Sequence, residues 1–137
     1  MKKAALLPIL LLFTVLIISC SKKKEEFDNV DKSAEVSQTY LGELKLGEDM
    51  TTYSNAKVKV TRKGTHEVTL EPVTGQGYPA FTPINYSSFI YSSVSNQYGS
   101  GNPSSIVFTF TSDGTINLVL GHNIAGTTIF FNGTSVK

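Results

Sequence analysis

Ser105-Ile-Val-Phe-Thr-Phe-Thr111, Ser112-Asp113-Gly114 and Thr115-Ile-Asn-Leu-Val-Leu-Gly121 decide the fold. Large apolar side chains recur at every second position: Ile106, Phe108 and Phe110 in the first arm, Ile116, Leu118 and Leu120 in the second. Period two over this length marks a strand with one buried face. Asp-Gly between two such runs is among the strongest short hairpin signals. The reading is an antiparallel hairpin that sends six large side chains into one core.

The pattern extends in both directions. After a loop at residues 122–126, Thr127-Thr-Ile-Phe-Phe-Asn-Gly133 sends Ile129 and Phe131 inward. Upstream, Thr39-Tyr-Leu-Gly-Glu-Leu-Lys-Leu46 sets Tyr40, Gly42, Leu44 and Leu46 against Glu43 and Lys45. Residues 47–54 read as a polar loop. Ala56-Lys-Val-Lys-Val-Thr-Arg-Lys63 alternates most cleanly, with Ala56, Val58 and Val60 inward. Lys63-Gly64 predicts a turn, and residues 66–72 return with Val68 and Leu70 inward. Residues 74–103 break the pattern with seven glycines and prolines among six aromatic residues and many serines. Two short strands are expected there, near 80–84 and 88–94. The domain shows no amphipathic helix and no solenoid repeat.

Six clear strands and two weaker ones predict an all-β fold. A flat meander would leave two unpaired edges, which invite aggregation, and closure removes them. The expected architecture is a small antiparallel up-and-down β-barrel of about eight strands. Such a barrel is filled by side chains or holds one small ligand. A two-layer β-sandwich is the alternative.

The N-terminus is of another kind. Lys2 and Lys3 precede an apolar run of 15 residues, Ala4 to Ile18, broken only by Pro8 and Thr14. That is short of the ~20 residues of a membrane span and fits a secretory signal. Ile17-Ile18-Ser19-Cys20 closes the run, and Cys20 is the only cysteine. These four residues resemble the lipobox of bacterial lipoproteins, which implies cleavage after Ser19 and a lipid on Cys20; a cleaved signal with a chance cysteine and a signal anchor are the competing readings. Ser21, where an aspartate would imply inner-membrane retention, is compatible with the outer membrane. Lys24-Glu25-Glu26 resembles the surface-export signal of Bacteroidetes lipoproteins, against which stands a plain solvated tether. The expected organisation is a signal at 1–19, a lipidated cysteine and flexible charged tether at 20–37, and a barrel at 38–137. The tether reads as flexible because it has few apolar residues to offset its ordering entropy.

Tyr40-Leu-Gly-Glu-Leu44, the strand Val58 to Gly64, the hairpin on Asp113-Gly114 and the closing Phe131-Asn-Gly-Thr134 together resemble the calycin-like β-barrel lipoproteins of Bacteroidetes. The resemblance spans residues 40–136. It implies a lipocalin-like eight-stranded barrel and no particular reaction, and its motifs are core and turn patterns.

The chain carries 12 Lys and Arg against 11 Asp and Glu, and without Lys2 and Lys3 the net charge is −1. Nucleic-acid binding, which needs a basic patch or stripe, is not expected. His66 and His122 are the only histidines and lack a metal-ligand spacing; both read as satisfied or solvated side chains. Glu48-Asp49 reads as a solvated loop pair rather than a cation or sugar-hydrolysing site. No enzyme activity, metal or cofactor is expected. Tyr78, Phe81, Tyr86, Phe89, Tyr91 and Tyr98 remain as candidate ligand-binding residues, since flat rings with polar tips stack on sugars or line a small-molecule pocket. The competing reading is that they fill the core. Two functions are thus carried forward: a non-enzymatic binding module for a small molecule or glycan, and an envelope protein that meets a protein partner.

Overall fold

In the computed structural model, residues 27–137 are described, Ala125 excepted. The signal run, Cys20 and residues 21–26 lie outside the described residues. The described residues form strands and turns without a helix: β1 (Phe27–Asp28), β2 (Thr39–Leu46), β3 (Thr51–Gly64), β4 (Glu67–Pro72), β5 (Ile84–Tyr86), β6 (Ile90–Ser92), β7 (Gln97–Ser100), β8 (Ser105–Phe110), β9 (Ile116–Ile124) and β10 (Thr127–Ser135). They make one sheet in the order β1-β6-β7-β8-β9-β10-β2-β3-β4-β5, antiparallel throughout.

β5 and β6 are two halves of one stave, and this closes the barrel. Ile84, Asn85 and Tyr86 pair with Leu70, Thr69 and Val68 of β4. Ser87 then bridges Asn102, and Ile90, Tyr91 and Ser92 face Gly99, Tyr98 and Gln97 in the same antiparallel register. The first half of the stave bonds β4 and the second half bonds β7. With β10 paired to β2, the ring has eight staves. The architecture is the small up-and-down barrel, with β1 added along the outer edge of β6, and the sandwich alternative is set aside because there is a single sheet.

The interior is filled. Tyr40, Tyr86, Tyr98, Phe108 and Phe131 are fully buried beside Leu44, Leu70, Ile106, Leu118 and Ile129. Phe89 stacks on Tyr98 at 4.7 Å between centroids, and Phe108 lies 5.8 Å from Tyr40 and 6.0 Å from Phe89. Each ring of this size contributes about 1.5–3 kcal/mol on burial. Phe110, expected inward, is only half-buried, because it is the last residue of its stave at the rim.

Gly42 sits opposite Gly133 across the β2–β10 seam. A Cβ on Gly42 would run into the backbone of Asn132 and Gly133, and one on Gly133 into the Leu41 backbone and the Phe131 ring. The opening and closing motifs of the sequence are therefore cross-strand partners, and glycine is what lets their backbones approach.

Several boundaries differ from expectation. β3 starts at Thr51, which leaves a loop of only residues 47–50; the sequence hid its first part because Asn55, at φ 57°, makes a bulge opposite β2 that shifts the alternation. The β3–β4 turn lies at Thr65-His66, not Lys63-Gly64, with His66 at φ 57°. The irregular middle holds three short strands rather than two: β5 lies at 84–86 where 80–84 was expected, β6 falls within the expected 88–94, and β7 is hidden in the sequence because glycine and serine follow its single inward residue, Tyr98. β9 continues through Ile124, so His122 is an inward strand residue, 6% exposed, and not the start of a loop.

The tether expectation is also corrected in part. Ser33 and Val36 are fully buried, and residues 33–36 form a turn against one end of the barrel. Val36 and Ser33 supply the burial that the charged composition concealed.

Candidate functional site at the barrel mouth

The barrel has two different poles. One carries the β2–β3 turn, the β9–β10 turn and the long β4–β5 connection; it is the mouth. The opposite pole carries the Thr65-His66 turn, the Asp113-Gly114 turn and the N-terminal segment.

The mouth is built by backbone constraints. Gly47 at φ 80° and Met50 at φ 54° make the β2–β3 turn tight, and the Gly47 amide donates to Thr128 O at 3.0 Å, which ties it to β10. Gly75 and Gly77, both at positive φ, reverse the β4–β5 connection. Tyr78 pins that connection to β3: its hydroxyl donates to Lys57 O and accepts from the Val73 amide at 2.9 Å. Burial raises the Tyr78 pKa, partly offset by the Val73 bond. Phe81 stacks on Tyr78 at 6.3 Å and 17°, and Tyr53 closes on Tyr78 at 6.1 Å. Between these elements lies a groove of about 390 Å³, floored by Leu46 and Ile129, walled by Tyr53 and Phe81, and rimmed by Asp49 and Thr127. Its size suits a small molecule.

The six aromatic candidates therefore separate. Phe81 lines the groove and Tyr78 backs it. Tyr86, Phe89 and Tyr98 are buried, at 0%, 3% and 0% exposure, so they are core and not a contact surface. Tyr98 points inward from β7, and the positive φ of Ser88 shifts the phase of the kinked stave so that Tyr86 and Phe89, three residues apart, both face the core. Tyr91 is half-buried away from the groove, donating to Asn96 Oδ1 at 2.7 Å with Lys32 Nζ 5.5 Å from its ring centre. The structure does not bring the six together. Tyr53 and Asp49 are groove residues that the sequence assigned to a polar loop. The alternation Thr51-Thr-Tyr53, read as a strand end, would have found Tyr53.

Two polar clusters lie elsewhere. At the opposite pole Asp31 Oδ1 accepts from the Ser33 amide at 3.0 Å, the His66 amide at 3.1 Å and Tyr98 Oη at 3.1 Å, while Oδ2 accepts from Arg62 Nη2 at 3.1 Å. Burial alone would raise the Asp31 pKa, but the bonds from Ser33, His66 and Arg62 outweigh it and hold the carboxyl well below its usual range. Burial raises Tyr98, and the Asp31 bond and charge raise it further. This carboxylate is committed to holding the N-terminal segment.

Inside the barrel, Ser104 Oγ lies 2.7 Å from His122 Nδ1 and 3.4 Å from Tyr86 Oη. Burial pushes the His122 pKa down, so the ring is neutral at pH 7. Nucleophilic catalysis asks for a third group to orient the base. Among the described residues no carboxylate bonds His122, and no cluster of three metal-ligating side chains occurs. The pair reads as a histidine satisfied by its neighbours.

No family model, curated protein or solved structure matches this chain.

Proposed function

We propose that this protein is an outer-membrane lipoprotein, anchored through a lipid on Cys20, whose barrel mouth binds a small molecule or glycan without transforming it. The lipobox-like run at residues 17–20, the single cysteine and the resemblance to calycin-like lipoproteins support the anchor. Several acyl chains make such an anchor stable where one does not. Lys24-Glu25-Glu26 supports display at the cell surface. The observation that carries the binding reading is the groove of about 390 Å³ with its Tyr53 and Phe81 wall. β1 and the N-terminal segment join the barrel at the opposite pole, so an anchored chain would present the groove away from the lipid.

Metabolic labelling with fatty acid tests the anchor: Cys20→Ala is expected to lose both the label and detergent-phase partitioning, and retention of either contradicts it. Glycans and small apolar compounds titrated against wild type, Tyr53→Ala and Phe81→Ala test the mouth. Binding weakened by both substitutions supports the site, and binding indifferent to both removes it.

A second reading has its own observation. The lumen is filled, and the outer wall of β2, β9 and β10 exposes Leu41 at 36%, Val119 at 53% and Phe130 at 39%. Apolar side chains grouped on one wall suit a protein partner. Val119→Lys with Phe130→Lys would abolish such an interaction while leaving the mouth intact.

A further inference from the structure

We infer that the mouth selects an uncharged, polyhydroxylated ring, a pyranose sugar, and rejects anions. This rests on the mouth being a binding site, and it follows from where the protons in the groove already point.

Thr51 Oγ1 donates its proton to Asp49 Oδ2 at 2.8 Å, so the Thr51 oxygen faces a ligand as an acceptor. Thr128 Oγ1 donates to Asn123 Oδ1 at 3.2 Å and is left in the same state. Among the described residues no donor reaches Asp49 Oδ1, which keeps its lone pairs for a ligand. Among the described residues, Asp49 is the one charged side chain that lines the groove, and no lysine, arginine or histidine does. An incoming carboxylate or phosphate would meet a like charge with no cation beside it, which is unfavourable. The groove asks for hydrogen-bond donors.

The apolar surfaces narrow the class. The Phe81 and Tyr78 rings are nearly parallel, 17° apart, with Tyr78 packed behind Phe81. The ligand thus meets two rings, Phe81 and the inclined Tyr53, and not a closed cage. A quaternary ammonium ion such as choline is drawn to ring faces and to the Asp49 charge, but it brings a single hydroxyl for three acceptors, Asp49, Thr51 and Thr128. A pyranose has an apolar C–H face to lie on Phe81 and over Leu46 and Ile129, and a rim of hydroxyls to donate to Asp49, Thr51 and Thr128. The groove, about 390 Å³, is near the small end of the range for ligand sites and suits one or two such rings.

Calorimetric titration of the full-length chain, in a detergent without a sugar headgroup, tests this. The probes are glucose, maltose and cellobiose; glucuronate and glucose 6-phosphate; choline; and a hydrophobic dye. At least one neutral sugar is expected to bind and both anions to fail. Asp49→Asn and Phe81→Ala, each checked for a native circular dichroism spectrum, should weaken the sugar about tenfold or more. Anions binding as well as the sugars, or choline or the dye binding where no sugar does, would overturn the ligand class while leaving a mouth that binds. Silence across the whole panel, or sugar binding that ignores both substitutions, would overturn the mouth as well.

Discussion

Tyr98 donates its hydroxyl to Asp31 Oδ1 at 3.1 Å, across 67 residues of chain. One contact joins the N-terminal segment to the kinked stave's partner strand, and it satisfies a phenol whose ring is otherwise sealed in the core. Removing the carboxylate leaves that hydroxyl with only His66 Nδ1 at 3.3 Å and the Arg62 guanidinium with only Ser33 Oγ, and it takes the acceptor from the Ser33 and His66 amides. Hydrogen bonds to a charged group contribute about 1.5–3 kcal/mol. Asp31→Ala is therefore expected to lower thermal stability by about that amount and to expose residues 31–37 to protease. The pH dependence has a definite sign. The folded pKa of Asp31 lies below its unfolded value near 3.9, so its contribution is complete above about pH 4 and is lost as pH falls further. Melts of wild type and Asp31→Asn should converge at acid pH; a constant gap down to pH 2 would contradict the assignment.

Gly42 and Gly133 carry the seam between the first and last long strands. Gly42→Ala places a methyl group in the Asn132 backbone, and the seam must open to admit it. Gly101→Ala meets nothing within 4 Å and serves as the control. Denaturant unfolding should show a large loss for the first and almost none for the second. Equal stability of the two variants would mean the strands are not in this register.

Phe108 is fully buried and Thr109, beside it, faces outward. Truncating a buried phenylalanine typically costs about 3–5 kcal/mol. Phe108→Ala should come close to unfolding a domain held by about 5–15 kcal/mol, while Thr109→Ala should change little. Similar losses for both would invert the β8 assignment.

His122 gives a second pH effect, near neutrality. Burial pushes its folded pKa below the ordinary 6.5. As pH drops below about 6.5 the unfolded chain takes up the proton before the folded chain does, so stability falls until the folded pKa is passed. The slope between pH 7 and 5 in wild type should shrink in His122→Gln. An unchanged slope would place that titration elsewhere.

The barrel was legible because its long staves alternate cleanly: Ala56, Val58 and Val60, or Ile116, Leu118 and Leu120, state their inner face without help from the rest of the chain. Asn55 shows what alternation loses. One left-handed residue adds a bulge, and the strand before it drops out of phase and reads as loop. His122 shows that polarity misleads where a buried partner exists, since Ser104 supplies the bond that allows it inside. The aromatic segment stands out in the sequence, yet rings alone do not reveal which side of a stave they occupy. Tyr86 and Tyr98 face the core, whereas Phe81 lies on a connection that only the fold brings beside Tyr53.

The proposed binding takes place at the mouth, on the pole away from the N-terminal segment. Backbone amide resonances, followed while maltose or cellobiose is titrated into the isotope-labelled protein, test it most directly. The expected result is shifts concentrated at Gly47, Asp49, Phe81 and Thr128, with Asp31 and His66 unmoved. Shifts confined to Leu41, Val119 and Phe130 on the outer wall, or none at any residue, would contradict it.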